Sequence, residues 1–136
     1  MTKTELFLAA KAKLDTIASD LSLPLVFIGI DAQTLQPYDG QAYDSYLSAN
    51  IIWGEETRPY LNGADGQNCN SIIQIDCIYP KLQEYNALQT AQSVKDKIPL
   101  DSNIAGAVYN VTISPVMRDA TTVQYSVSVT VKQIDV

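Results

Sequence analysis

Histidine is absent from this chain of 136 residues. Its absence removes Ser–His and Cys–His nucleophile pairs, imidazole proton shuttles and histidine metal sites together. Cysteine is scarce, with Cys69 and Cys77 the whole supply. Two thiols eight positions apart make neither a disulfide framework nor a zinc clip nor a redox C-x-x-C. They are expected to be buried or half-buried thiols of a cytoplasmic protein. Positive charge is also short: 9 Lys plus Arg, of which only Arg58 and Arg118 are arginine, stand against 15 Asp plus Glu, for a net charge of −6. Binding along a phosphate backbone needs many cations to displace counterions, so a broad nucleic-acid grip is excluded. No apolar run reaches the ~18 residues of a membrane span. No signal-type apolar core follows the N-terminal lysines. G-x-x-x-x-G-K, G-x-G-x-x-G and G-x-S-x-G are all missing.

What is present is an ordinary globular composition, 46% hydrophobic and 18% charged, which predicts one domain over residues 1–136. Residues 2–21 read as an amphipathic helix, with Leu6, Ala10, Leu14, Ile17 and Leu21 at three- and four-residue steps. Thr2 or Thr4 is the candidate cap, and Leu23-Pro24 stops it. A β-branched run from Leu25 to Ile30 predicts a strand, followed by turn-rich residues 31–45. Alternation from Tyr46 to Trp53 predicts a half-buried strand with Leu47, Ala49, Ile51 and Trp53 inward. Gly54 to Asn70 is expected to be a long polar loop. Ile72 to Tyr79 is the strongest strand signal, and Pro80 ends it. A second helix over about 81–97 is expected to carry Tyr85, Leu88, Ala91, Val94 and Ile98 on its apolar stripe. Ala107–Pro115 and Thr122–Ile134 predict two closing strands around a turn near Arg118-Asp119. The order α-β-β-β-α-β-β predicts an α+β fold, a mainly antiparallel sheet with two helices packed on one face.

Candidate chemistry is sparse. Asp31, Asp39, Asp44, Glu55, Glu56 and Asp65 lie in turn-rich stretches, where acids collect because water solvates them. Asn62-Gly-Ala-Asp65-Gly66 lacks the alternating oxygen ligands and the glutamate of a calcium loop. No catalytic, cofactor-binding or metal-binding residue is assigned. Asp76 stands mid-strand among isoleucines, and an ionised carboxylate there needs a partner or solvent. Either its face is exposed or paired across strands, or another subunit completes it. Eight tyrosines also suit surfaces covered only on assembly. The 54–70 segment holds Arg58, Tyr60, Asn62 and Asp65 between glycines, residues suited to partner contacts on a loop.

The block Ser71-Ile-Ile-Gln-Ile-Asp-Cys-Ile-Tyr-Pro80 followed by a helix of about four turns resembles the tail terminator (tail completion) proteins of long-tailed phages, the lambda-type minor tail protein family. The likeness extends to the N-terminal helix, Leu23-Pro24-Leu25-Val26, the Tyr46-Leu47 strand and the closing strand of alternating valines. It departs from the family at Asn70-Ser71, where glycine is common, and at Ile98-Pro99-Leu100, where an aromatic is. The resemblance implies a structural virion protein: a ring, usually of six subunits, that caps the tail tube, stops polymerisation and presents a head-attachment surface. Its implied partners are further copies of itself, the major tail tube protein and head–tail connector proteins, with no membrane. DNA would pass through the lumen without specific binding. Its implied place is the host cytoplasm during assembly, then the head–tail junction of the virion. Another head–tail joining or neck protein is the alternative, and a small-ligand-binding or enzymatic α+β domain a further one.

Overall fold

A computed structural model describes residues 3–39, 43–54, 56–57, 67–100, 103–104 and 106–135. Its elements in chain order are α1 (Lys3–Leu21), β1 (Leu25–Phe27), β2 (Ile30–Asp31), β3 (Tyr46–Ile52), β4 (Glu56–Thr57), β5 (Gln67–Pro80), α2 (Glu84–Asp96), β6 (Ala107–Ile113), β7 (Met117–Arg118) and β8 (Thr122–Asp135). The strands form one open sheet in the order β2-β1-β3-β5-β8-β6, with β4 beside β5 and β7 beside β8. Every pairing is antiparallel except β1 with β3. The α+β class is as the sequence predicts. The three additional strands are two-residue pieces that periodicity is too short to reveal.

Both helices cover the same side of the sheet. Leu6, Ala10, Leu14 and Ile17 of α1 meet Leu25, Phe27, Leu47 and Ala49, while Ala91, Val94 and Ile98 complete the same cluster over Ile73, Ile75, Cys77, Val127, Val129 and Val131. Period-two alternation places each of these strand residues on one face. A fully buried Leu, Ile or Val contributes ~1.5–3 kcal/mol relative to exposure, so this layer supplies most of the drive to fold. Lys97 reaches Asp20 at 3.6 Å, linking the C-terminal ends of the two helices.

Several boundaries differ from expectation for local reasons. Thr4 lies inside α1 and is not its cap, while Thr2 falls outside the described residues. At its other end α1 closes on Ser22, which adopts φ 56°. Ser22 N–H donates to Ser19 O at 3.1 Å and Leu23 N–H to Ala18 O at 3.0 Å. That is the paired-bond helix stop usually built on glycine. The predicted 25–30 strand breaks at Ile28 (φ 51°) and Gly29 (φ 77°), a two-residue turn that pairs Phe27 with Ile30. Two consecutive positive φ values define the hairpin turn that fits strand twist.

The Gly54–Asn70 loop is shorter than expected, because Gln67–Asn70 already belong to β5 and Glu56–Thr57 pair with Cys69 and Asn68. Trp53 lies past the end of β3 and is exposed. Gly54 packs so closely on β5 that an added Cβ would sit 1.4 Å from the Asn70 carbonyl oxygen.

The second helix is rotated from its expected stripe. Ala87, Thr90, Ala91 and Val94 are its buried residues, while Tyr85 is 69% exposed and Leu88 is exposed too. Steps of three drift by about 60° each at about 100° per residue, so Tyr85 and Val94 stand on opposite sides of the helix. The small Ala87 and Ala91 allow close approach to the sheet, and the Tyr79 hydroxyl lies 2.6 Å from Thr90 Oγ1, which ties the helix to the end of β5.

Candidate functional site

Among the described residues the opposite face of the sheet carries no helix. Register places its side chains in cross-strand rows: Tyr46, Ile78 and Gln124; then Ser48, Asp76 and Ser126; then Asn50, Gln74, Ser128 and Thr112; then Ile52, Ile72, Thr130 and Asn110. Around Asp76 this face is polar and otherwise uncharged; half-exposed or exposed Ile72 and Ile52 lie on one side of it and Ile78 and Met117 on the other, and beyond Ile72 the face continues to exposed Asn70 and Lys132. Alternation puts these residues here because their neighbours Leu47, Ala49, Ile73, Ile75, Val127 and Val129 are claimed by the helical layer.

Asp76 is half-buried at the middle of that face. Its Oδ1 accepts a hydrogen bond from Ser126 Oγ at 2.5 Å and another from Gln74 Nε2 at 3.1 Å. Gln124 Nε2 donates to the same Ser126 oxygen at 3.4 Å, and Ser126 N–H to Ser114 Oγ at 3.2 Å. The carboxylate thus pairs across strands, one of the two readings its sequence position left open. Behind it, the Cys77 thiol is pushed up to about 12, first by burial and then by the neighbouring Asp76 charge. Cys77 is buried, as expected; the side chain of Cys69 lies outside the described residues.

The Asp76 row continues through Ser48 to Val26 and on to Asp31. Asp31 sits in the stretch where acids are expected to be solvated, yet it is 4% exposed. Tyr43 donates its hydroxyl proton to Asp31 Oδ2 at 2.7 Å, and Gln33 N–H donates to Oδ1 at 2.9 Å. These bonds hold the Asp31 carboxyl below its ordinary value, the Tyr43 bond first, and the same bond raises the Tyr43 phenol. Tyr38 stacks on Tyr43 with ring centroids 5.4 Å apart and meets Tyr46 edge-on at 5.0 Å. Tyr43 N–H donates to the Tyr38 hydroxyl at 3.0 Å. Residues 31–39 and 43–46 are therefore pinned beside the open face by three aromatic rings and one carboxylate.

Sequence reasoning singled out Asp76 but missed this tyrosine cluster. Its available signal is the density of aromatics, Tyr38, Tyr43 and Tyr46, following Pro37. Arg58, Tyr60, Asn62 and Asp65, the other expected contact residues, lie outside the described residues, as do Glu55 and the side chain of Glu56. Asp39 and Asp44 are exposed.

Among the described residues no group of three or more His, Cys, Asp or Glu could hold a metal ion. None of their helices is long and apolar enough to cross a membrane. A groove of about 440 Å³ beside α2 is lined by Tyr79, Asn86, Gln89, Thr90 and Ser93, neutral groups that offer no acid–base pair. What the open face offers among the described residues is a set of hydrogen-bonding groups flanked by isoleucines, the reverse of the apolar centre and polar rim usual in protein interfaces.

No family model matches the sequence, and no curated protein matches it. Among solved structures, a chain whose name describes no function is similar over 100% of this chain and 97% of its own, with a TM-score of 0.67 and 14% identity. At that identity the likeness shows the fold alone.

Proposed function

We propose that this protein is a tail terminator, a structural subunit that assembles as a ring on the last disc of a phage tail tube and stops its growth. The observation that supports this reading most is the sheet face bearing Asp76. A sheet that the described helices cover on one side only leaves a second face of hydrogen-bonding groups flanked by Ile52, Ile72 and Ile78. Halting a polymer needs one surface complementary to the tube end and another that no tube subunit can use, which is a matter of shape and of excluded contacts. No catalytic residue is required, and the protein is read as having no enzymatic activity.

The strand–proline–helix block behind the sequence resemblance spans the central strand of that sheet, Pro80, and the helix beginning at Glu84. The further partners in this reading are the tube protein and the head–tail connector. The net charge of −6 suits a lumen through which DNA passes without adhering. The subunit would act in the host cytoplasm and remain at the head–tail junction.

The test is to mix the purified protein with tail tubes and image them by negative-stain microscopy. A ring at one end of each tube, and tubes that no longer elongate, are the expected result. Ser128→Arg with Thr130→Arg, at half-exposed positions of the open face, should leave folding intact and abolish capping. Tubes that elongate normally with the unaltered protein would refute the reading.

A further inference from the structure

We infer that β6 is a strand-addition edge that pairs with β6 of a second copy around a two-fold axis at Thr112. This contact stands apart from the tail reading, because it rests on the sheet edge and not on its open face.

The argument begins with hydrogen-bond parity. Ser114 N–H donates to Ser126 O at 2.9 Å, one register step beyond the Ile113–Val127 pair. In an antiparallel ladder bonded and non-bonded pairs alternate, so Thr112 and Asn110 also point their backbone groups at β8. Val111 and Ile113 then direct their N–H and C=O groups outward. Among the described residues no strand lies on that side, since β6 ends the sheet. A row of unpaired backbone groups is a template for another strand unless charge, proline or a covering segment blunts it. Residues 107–113, AVYNVTI, contain no charge and no proline. A register shift between Val108 and Asn110 and a bridge from Asn103 to Ala107 interrupt the first half of the strand, and they leave 110–113 regular.

The occupant follows from what a second copy can offer. The other sheet edge, β2, has two residues; Ile30 bridges Pro37, and Asp31 N–H already donates to Gln36 O at 3.0 Å. Head-to-tail strand pairing therefore lacks a second long edge among the described residues, β4 and β7 being two-residue pieces, whereas β6 can pair with itself. Bonding Val111 to Ile113 of the second copy, and the reverse, sets Thr112 opposite Thr112. The two-fold axis then runs perpendicular to the sheet and brings the two α2 helices together on one side. Lys95, Asp96, Ile98, Pro99 and Leu100 line a depression of about 330 Å³ with Asn110 and Val111 along this edge. Leu100 is 59% exposed there.

The experiment is sedimentation velocity of the full chain across the micromolar to millimolar range, with hydrogen exchange at both ends of it. The unaltered protein should pass from 14.9 kDa to twice that mass, and the amides of Val111 and Ile113 should gain protection as it does. Thr112 is exposed, so Thr112→Lys and Thr112→Glu should fold normally. Each alone should remain monomeric, because like charges meet at the axis, while an equimolar mixture should dimerise again. That rescue is specific to residue 112 facing its own copy. A monomer throughout the range, association undiminished in Thr112→Lys, or a mixture that fails to pair would each overturn the proposal. Amide protection at Val111 and Ile113 that is the same at both concentrations would also overturn it, without reliance on any variant.

Discussion

Replacing Asp76 with alanine should cost more stability than its half-exposed position suggests, because of what it leaves behind. Ser126 is 5% exposed and gives its hydroxyl proton to Asp76 Oδ1. Without that acceptor a buried donor is stranded, which costs about 1–3 kcal/mol. Gln74 loses a bond as well, but its half-exposed amide turns to water at little cost. The expected loss is about 2 kcal/mol, or about 6–10 °C in melting temperature for a domain of this size. Ser126→Ala removes the donor and leaves the carboxylate with Gln74 and solvent, so its expected cost is about 1 kcal/mol. The double variant has neither a stranded donor nor a lost acceptor. It should be destabilised by about 2 kcal/mol instead of the additive ~3, a coupling of about 1 kcal/mol. Urea unfolding of all four proteins, with the slope held constant, measures this cycle. Additivity within about 0.3–0.5 kcal/mol would refute the claim that the two side chains act as a unit. Asp76→Asn, which keeps an acceptor without the charge, should fall between the wild type and alanine.

Three further outcomes are expected. Ser22→Gly should stabilise the protein by about 0.5 kcal/mol, since relief of ~1–2 kcal/mol of left-handed strain exceeds the ~0.4–1 kcal/mol of added unfolded-state entropy; thermal melting that shifts downward would contradict it. Asp31 is held below its ordinary value of 3.8 by the Tyr43 hydroxyl and the Gln33 amide. A carboxyl with a depressed folded value stabilises the fold above its unfolded value, and that contribution is lost as pH falls from 3.8 through the folded value. Tyr43→Phe should therefore lower stability above pH 3.8 and make the acid limb shallower in urea titrations, because the unfolded value sets where the limb begins and the folded value sets its depth. An acid limb of unchanged depth would disprove the link. Cys77, with its thiol pushed up to about 12, should resist alkylation at mildly alkaline pH in a Cys69→Ser background until the protein unfolds; rapid modification without denaturant would show the thiol is accessible.

The first helix and the two long strands were legible because their signals are local and periodic. Leu6, Ala10, Leu14 and Ile17 recur at helical steps, and Ile73, Ile75, Val127 and Val129 alternate, so a single packing partner satisfies each set. The antiparallel α+β class followed from their order. The rotation of α2 was not legible. Tyr85, Leu88 and Ala91 are each apolar enough for a core, and only the sheet's need for small residues at close range selects Ala87 and Ala91. Ser22 and Ile28 hold positive φ although neither is a residue that advertises it, because helix α1 and strand β3 fix both ends of the chain there.

The same division runs through the candidate site. The alternation of β5 by itself put Asp76, Gln74 and Ile72 on one face, since strand geometry leaves them nowhere else to go. Register is long-range information. It took the pairing of β5 with β8, some fifty residues apart in sequence, to set Ser126 against Asp76, and the parallel pairing of β1 with β3 to extend that row to Asp31. Burial of Asp31 beneath Tyr43 ran against its turn-rich surroundings, because hydrogen bonds from the Tyr43 hydroxyl and the Gln33 amide replace the water that sequence composition assigns to it. Residue patterns determined what each segment is; contacts between distant segments decided which side chains meet.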